Sequence, residues 1–179
     1  GHDRVGDLDA IVSRAAAGTR ATTPGGSAAN VLKGLAGISR AGRGEDEEDD
    51  ESLVLTFVGT IEDEDAVGEA YEEALSRAGV RSALARRRRA TPPLGSARCV
   101  CLVDEHGQRT MRTYLGAAAK TTVDDLPMGT LERADALHAE GYALYKPEVL
   151  RAACVAAKRN GALVRLDLAS LEVVRTRRE

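Results

Sequence analysis

Hydrophobic residues recur every three to four positions in four segments of the chain, and this period predicts amphipathic helices. The expected helices cover residues 6–17, 27–40, 65–78 and 147–160. In the first of them, one face carries Leu8, Ile11, Val12 and Ala15. In the second, helical spacing relates Val31, Leu32, Leu35 and Ile38. In the third, we expect the inward face to hold Val67, Ala70, Tyr71, Ala74 and Leu75.

Short apolar runs rich in β-forming residues predict strands at 52–59, 134–138 and 162–168, with His138 buried in the second. Two further runs, 98–104 and 108–114, flank the turn Glu105-His106-Gly107 and predict a hairpin. The hairpin is polar on one side, which places it off the main sheet. From residue 52 the order is strand, helix, hairpin, strand, helix, strand, and this order favours a largely parallel α/β sheet covered on both faces.

Composition limits what the core is made of. The chain has 179 residues, of which 43% are hydrophobic but only 3% aromatic, with no Trp. That length is typical of one domain or a large piece of one. The core is therefore expected to consist of Ala, Val and Leu.

The net charge of -3 hides two blocks of like charge, the seven acids of Glu45–Glu51 and the four arginines of Arg86–Arg89. Such blocks are typical of solvated loops. Because few aromatic side chains are available to stack on bases, we expect no nucleic-acid partner.

Cysteines and hydropathy indicate the compartment. Cys99, Cys101 and Cys154 form no metal-binding pattern, and an odd count without a framework indicates reduced thiols. No run of about 18 apolar residues occurs, so no membrane span is expected. The N-terminus lacks the apolar centre of a secretory signal. These features favour the cytoplasm, with an organelle as the alternative.

The stretch Thr22–Gly42, "TTPGGSAANVLKGLAGISRAG", combines a glycine pair with the start of a helix. Gly25 and Gly26 lack Cβ atoms, so a ligand can approach the backbone closely. Ser27 is a plausible N-cap, and the amide of Asn30 can both donate and accept hydrogen bonds. The set suits a polyhydroxylated ligand such as a sugar ring. A glycine turn before a capped helix explains the same residues, and both interpretations stay open on these residues alone.

The segment Gly25–Asn30 resembles the "GG-S-A-A-N" signature of the ribokinase/PfkB family of sugar and nucleoside kinases. Further segments resemble that family in the same order and together cover most of residues 22–170. They are Phe57–Val80, 98–118, 134–144 and 156–170. The tripeptides "RTM", "LGA" and "EGY" look most like those of the adenosine-kinase-like branch of the family.

The resemblance implies a ribokinase-like, doubly wound and mostly parallel α/β sheet with a small β lid. It also implies transfer of the γ-phosphoryl group of ATP to a sugar or nucleoside hydroxyl, with Mg²⁺. Residues 1–179 would form a partial domain, with the lid hairpin at about 96–116 and an acidic insertion at about 43–52. By resemblance, the residues expected to bind the substrate are Gly25, Gly26, Asn30, Cys99, Leu115 and Ala117.

The chain also departs from the family pattern. Neither the family's opening strand nor its "N-x-x-E" and "G-A-G-D" segments occur, so the fold is expected to be incomplete at both ends. The catalytic aspartate is expected beyond residue 179, and no catalytic, ATP-binding or metal-binding residue is assigned. Asp167 is interpreted as structural or peripheral. The expected function is the substrate-binding part of a kinase, inactive alone. At the start of the expected lid, Ser96-Ala97 stands where the family usually has Thr-Gly.

Other interpretations remain at this stage. A non-catalytic interaction or regulatory protein could retain half of a kinase fold and cover its sheet edge by forming a homodimer. Nucleic-acid binding through Arg86–Arg89 is a third. Glu140 follows a strand end, where open α/β sheets bind ligands, and is a possible contact.

Overall fold

The computed structural model describes residues 5–14, 21–42, 53–88 and 92–177. Within these ranges the helices are α1 (Val5–Arg14), α2 (Ser27–Ala41), α3 (Ala66–Arg77), α4 (Met128–Leu131), α5 (Pro147–Lys158) and α6 (Leu171–Thr176). The strands are β1 (Thr56–Glu62), β2 (Arg81–Arg87), β3 (Arg98–Val103), β4 (Arg109–Tyr114), β5 (Ala136–Glu140) and β6 (Leu163–Asp167). The predicted acidic insertion, residues 15–17 of the first predicted helix and Arg89 lie outside the described residues.

The described strands form pairs. β3 and β4 are antiparallel and make a sheet of their own, which confirms the predicted hairpin. β5 and β6 are parallel. β1 pairs with β2; the N–H of Arg81 donates to Leu55 O at one end (2.8 Å) and the N–H of Asp63 donates to Arg87 O at the other (2.7 Å). These two bonds join corresponding ends, so β1 and β2 run in the same direction on either side of α3.

The chain divides into two compact units. The first comprises Gly1–Pro24, Thr60–Ala74 and Arg86–Lys120, and the second comprises Gly25–Gly59, Leu75–Ala85 and Thr121–Glu179. In the first unit α1 packs on the hairpin. In the second, α2 packs on β5, and α5 packs on β5 and β6. The buried hydrophobic side chains are mostly Ala, Leu and Val, as expected from the composition.

Helix α2 does not bury most of the larger apolar residues that helical spacing relates. Its buried residues are Ala29 and Ala36, whereas Val31, Leu35 and Ile38 are exposed. Alanine lets the helix backbone approach the neighbouring segments closely, and a ranking by hydrophobicity overlooks this. Ser27 is the first residue of the helix and not its cap. Gly26 occupies the N-cap position, and no side chain caps the helix.

The predicted inward face of α3 is only partly correct. Leu75 is buried, but Val67 and Ala70 are exposed. In the first turn the inward position belongs to Gly68, where a Cβ atom would lie 2.8 Å from the hydroxyl oxygen of Ser96. Its missing side chain leaves room for the side chains of Ser96 and Ile61, and the apolar Val67 beside it is turned outward.

Strand β2 was not predicted, and Arg86 and Arg87 lie in it and not in a loop. Arg87 donates to the carbonyl oxygen of Lys120 (2.6 Å), and Arg86 forms ion pairs with Asp63 (3.9 Å) and Glu72. These partners accommodate two arginines at the end of a strand.

The prediction that His138 is buried is wrong. Along β5, Ala136 and His138 are exposed, whereas Leu137, Ala139 and Glu140 are half-buried.

Candidate functional site

The start of α2 presents accessible main chain. Gly25 and Gly26 are exposed, and Gly26 has φ 96° and ψ 128°, a conformation in which a Cβ atom is strained. The first helical hydrogen bond runs from the N–H of Asn30 to Gly26 O (2.9 Å). The N–H groups before Asn30 have no partner within the helix, as at the start of any α-helix, and they are available to other acceptors. Asn30 itself is exposed in this first turn.

Glu140 lies at this helix start. Its carboxylate accepts a hydrogen bond from the backbone N–H of Ala28. In the parallel pair β5–β6, Glu140 is the register partner of Asp167, so two carboxylates lie side by side at the carboxyl ends of the two strands. Ligands of open α/β sheets bind at this edge.

The pKa of Glu140 reflects these surroundings. Burial raises its pKa above the ordinary glutamate value, and the nearby charge of Asp167 raises it further. The hydrogen bond from Ala28 and the proximity of His138 oppose the rise without cancelling it. Glu140 therefore holds a proton more readily than a solvated glutamate does.

The backbone after β5 passes very close to the turn after β6. A Cβ atom on Gly141 would lie 2.8 Å from Leu168 O and 2.9 Å from Asp167 O, so only glycine fits there. Asp167 shapes that turn, since its Oδ1 accepts from the N–H of Ala169 (2.5 Å), a residue with φ 59°. The carboxylate of Asp167 thus has a structural partner, and the turn holds the edge where Glu140 lies.

The structure places Gly25, Gly26 and Asn30 in the second unit, together with Glu140, which the sequence indicated as a possible contact. The other predicted contacts, Cys99, Leu115 and Ala117, belong to the first unit.

Those three residues differ in accessibility. Cys99 is exposed on β3, where the Thr113 hydroxyl donates to its sulfur (3.3 Å), and Leu115 is 55% exposed. Ala117 is fully buried, and its N–H donates to Gly95 O (2.9 Å).

A second polar cluster lies in the first unit and was missed from the sequence. Glu62, Asp65 and Ser96 join the end of β1 and the start of α3 to the loop before β3. Burial works to raise the pKa of Asp65, but hydrogen bonds from the Ser96 hydroxyl and from backbone N–H groups outweigh it and lower the pKa. The sequence signal at this place is Ser96-Ala97 at the start of the predicted lid, where the family usually has Thr-Gly.

Across the described ranges, no group of three or more His, Cys, Asp or Glu side chains is arranged to hold a metal ion. In the same part of the chain, none of the helices combines the length and apolar character needed to cross a membrane.

Two parallel strand pairs with covering helices and an antiparallel hairpin that forms its own sheet define the class, an α/β fold. The profile of the pfkB family carbohydrate kinases matches residues 5–176. The chain therefore belongs to the pfkB family of carbohydrate kinases. No curated protein sequence matches it.

Solved structures agree with this family at the level of the fold. Adenosine kinase from Sinorhizobium meliloti superposes with a TM-score of 0.78 at 23% identity, covering 100% of this chain and 50% of that one. Trypanosoma brucei brucei adenosine kinase gives 0.71 at 24%, covering 96% and 48%. A probable sugar kinase protein from Rhizobium etli CFN 42 gives 0.72 at 22%, covering 98% and 48%. The ribokinase-like α/β fold is confirmed, and the chain spans about half the length of these neighbours.

Proposed function

We propose that this chain is the substrate-binding part of an ATP-dependent kinase and that it binds a sugar or nucleoside through ribose-like hydroxyls. The observation that carries the proposal is the meeting of Glu140 with the start of α2. Bare backbone at Gly25 and Gly26, the amide of Asn30 and the carboxylate of Glu140 belong to one compact unit.

The chemistry of these groups matches a polyol. Each hydroxyl of a sugar donates one hydrogen bond and accepts others. The carboxylate of Glu140 accepts, free N–H groups at the helix start donate, and the amide of Asn30 does both. A carboxylate that accepts from a sugar hydroxyl forms a charge-assisted hydrogen bond, which is about twice as strong as a neutral one.

The electrostatics favour an uncharged ligand. A helix N-terminus carries about half a positive charge and by itself attracts anions. Here Glu140 already occupies Ala28 N–H, and Asp167 lies beside it in register. The positive end of α2 is balanced, so neutral hydroxyls suit this site better than a phosphate or a carboxylate.

For Cys99, Leu115 and Ala117, we propose a role toward the substrate on the family resemblance alone. The whole of Ala117 is buried, and its N–H donates to Gly95 O, so the structure itself adds no support for a contact with the substrate. Cys99 and Leu115 offer an exposed thiol and an exposed apolar side chain, which suit a nucleobase or the carbon face of a sugar.

ATP and Mg²⁺ come with the family. Phosphoryl transfer depends on positioning and on stabilising charge at the transferred group. The described residues offer no cluster suited to Mg²⁺, so we assign neither the ion nor the nucleotide to side chains here. The 179 residues contain no G-x-G-D segment, and we expect them, tested alone, to bind substrate without transferring phosphate. We expect the protein to act in the cytoplasm.

The test is a titration of ¹⁵N-labelled protein with adenosine, ribose and adenine, followed by amide chemical shifts. Adenosine and ribose should shift the amides of residues 25–30 and 140–141, whereas adenine, which lacks the hydroxyls, should leave them in place. Asn30→Ala should weaken ribose binding about tenfold, the loss of one or two hydrogen bonds.

Asn160→Ala is the matched control, because Asn160 is an exposed asparagine after the end of α5. It should bind ribose like the wild type. Absence of any shift at residues 25–30 with both adenosine and ribose would show that the proposed function is wrong.

A further inference from the structure

The loop before the hairpin is held by two carboxylates of the first unit. Glu62 is 3% exposed; its Oε1 accepts from the N–H of Leu94 (3.1 Å), and its Oε2 accepts from the N–H of Gly95. Asp65 accepts the next N–H, that of Ser96, on Oδ2 (2.9 Å). Three successive backbone N–H groups thus end on two acidic side chains.

Ser96 closes this cluster. It is 4% exposed, and its hydroxyl oxygen accepts from the N–H of Glu62 (3.1 Å). The same hydroxyl donates to the carboxylate of Asp65. Asp65 also accepts from the N–H of Gly68 (3.2 Å) in the first turn of α3. The loop is therefore tied both to the end of β1 and to the start of α3.

The chain leaving the hairpin returns to the same loop. Gly95 O accepts from the N–H of Ala117 (2.9 Å), just beyond the end of β4. Gly116 has φ 49°, and a Cβ atom there would lie 2.1 Å from Gly95 O. The entry and the exit of the hairpin thus meet at Gly95, the residue whose N–H is bound by Glu62.

We propose that Glu62 is a positioning residue that fixes the base of the β3–β4 hairpin, with Asp65 as its partner. Through the hairpin it sets the positions of Cys99 and Leu115, and on the proposed function it thereby contributes to substrate affinity. Nothing in the family resemblance of this segment assigned Glu62 a role.

The geometry predicts that the two acids respond differently to neutralisation. Glu62 uses both oxygens, one for each N–H, so Glu62→Gln turns an amide NH₂ toward one of the two donors. A buried donor facing another donor loses its bond and is left unsatisfied. Asp65 uses one oxygen, Oδ2, to accept from the N–H groups of both Gly68 and Ser96, and an asparagine can keep that oxygen in place.

The test is amide hydrogen exchange across β3 and β4 in the wild type, Glu62→Gln and Asp65→Asn, without ligand. Glu62→Gln should speed exchange of the hairpin about tenfold or more, as expected for the loss of a hydrogen bond to a charged group. Asp65→Asn should have a smaller effect. Exchange in β5 and β6, which belong to the other unit, should stay at the wild-type rate in both variants.

Glu105→Gln is the control, because Glu105 is an exposed acid at the hairpin turn. It should leave hairpin exchange unchanged. If Glu62→Gln fails to fold, Glu62→Asp replaces it, since both oxygens are kept on a side chain shorter by one methylene and an intermediate exchange rate is expected. Unchanged hairpin exchange, or an equal increase in β5 and β6, would overturn the positioning role.

Adenosine titration of the same variants separates this inference from the proposed function. Weaker binding by Glu62→Gln, with Glu105→Gln like the wild type, supports the link to substrate affinity; equal binding overturns that link. If the wild type does not bind adenosine or ribose, the proposed function is wrong, and the exchange rates still decide whether Glu62 positions the hairpin.

Discussion

The carboxylate of Glu140 accepts a hydrogen bond from the backbone N–H of Ala28 and so joins the end of β5 to the start of α2. More than a hundred residues separate the two in sequence. The bond satisfies one of the N–H groups that every helix start leaves without an internal partner. It also places an acceptor next to the bare main chain of Gly25 and Gly26, which makes one polar site from two distant segments.

The raised pKa of Glu140 predicts how stability depends on pH. Because the folded protein holds this proton more tightly than the unfolded chain does, its contribution to stability is fully present below the ordinary glutamate pKa. That contribution is lost as the pH rises through the folded-state value. Glu140→Gln should therefore gain stability relative to the wild type between acidic and neutral pH. Urea unfolding of both proteins across this range measures the difference, and a constant difference would contradict the raised pKa.

Gly26→Ala should destabilise the protein by about 1–3 kcal/mol, because an alanine is forced to positive φ at the cap of α2. Gly34→Ala is the matched control in the same helix. A Cβ atom there has nothing within 4 Å, so the substitution should stabilise the protein by about 0.5–1 kcal/mol. Urea denaturation compares the two, and a destabilising Gly34→Ala would show that α2 packs differently.

Gly116→Ala should cost about 3–5 kcal/mol, the sum of strain at positive φ and a collision with Gly95 O. Gly107→Ala, at the hairpin turn, separates the two effects. Its φ is 76°, but a Cβ atom there meets nothing within 4 Å, so strain alone should cost about 1–2 kcal/mol. Thermal and urea unfolding give both values. Equal losses would mean that Gly95 can move out of the way.

Arg87→Ala should destabilise the protein by about 1.5–3 kcal/mol, because it removes a charged donor from the carbonyl oxygen of Lys120. Arg88→Ala is the control, because Arg88 is the neighbouring arginine and is exposed. Its free energy of unfolding should stay within about 0.5 kcal/mol of the wild-type value. Chemical denaturation of the two variants tests whether the arginine block is structural where it overlaps β2. If both variants behave alike, the contact with Lys120 adds nothing.

The sequence predicted those elements whose signals are local. The hairpin follows from a glycine turn between two β-rich runs, and Gly107 does adopt positive φ there. Pro147 begins α5, and Gly79 follows the end of α3 with φ 79°. Each of these signals needs only neighbouring residues. This is why they could be found without knowing the fold.

The features that the sequence did not predict depend on contacts with residues far away along the chain. Strand β2 was hidden because Arg86 and Arg87 looked like part of a solvated block, whereas acceptors elsewhere in the first unit receive them. Helix α2 buries Ala29 and Ala36 and not its larger apolar residues, because alanine gains burial from close packing and not from size.

The candidate site could be assembled from the sequence only in part. The glycine pair and Asn30 could be recognised as a motif, and Glu140 only by its place after a strand. Glu62 gave no local signal, since its importance depends on N–H groups about thirty residues further along the chain.

On the proposed function, the paired carboxylates at the ends of β5 and β6 affect how a phosphorylated product is released. Glu140 and Asp167 are register partners in the parallel strand pair. A phosphorylated sugar would therefore bring a doubly negative phosphate group toward two neighbouring carboxylates. Coulomb repulsion at such short range costs more than the same approach by a neutral hydroxyl. The two acids should therefore bind the neutral sugar more tightly than its phosphorylated product, which favours release of the product.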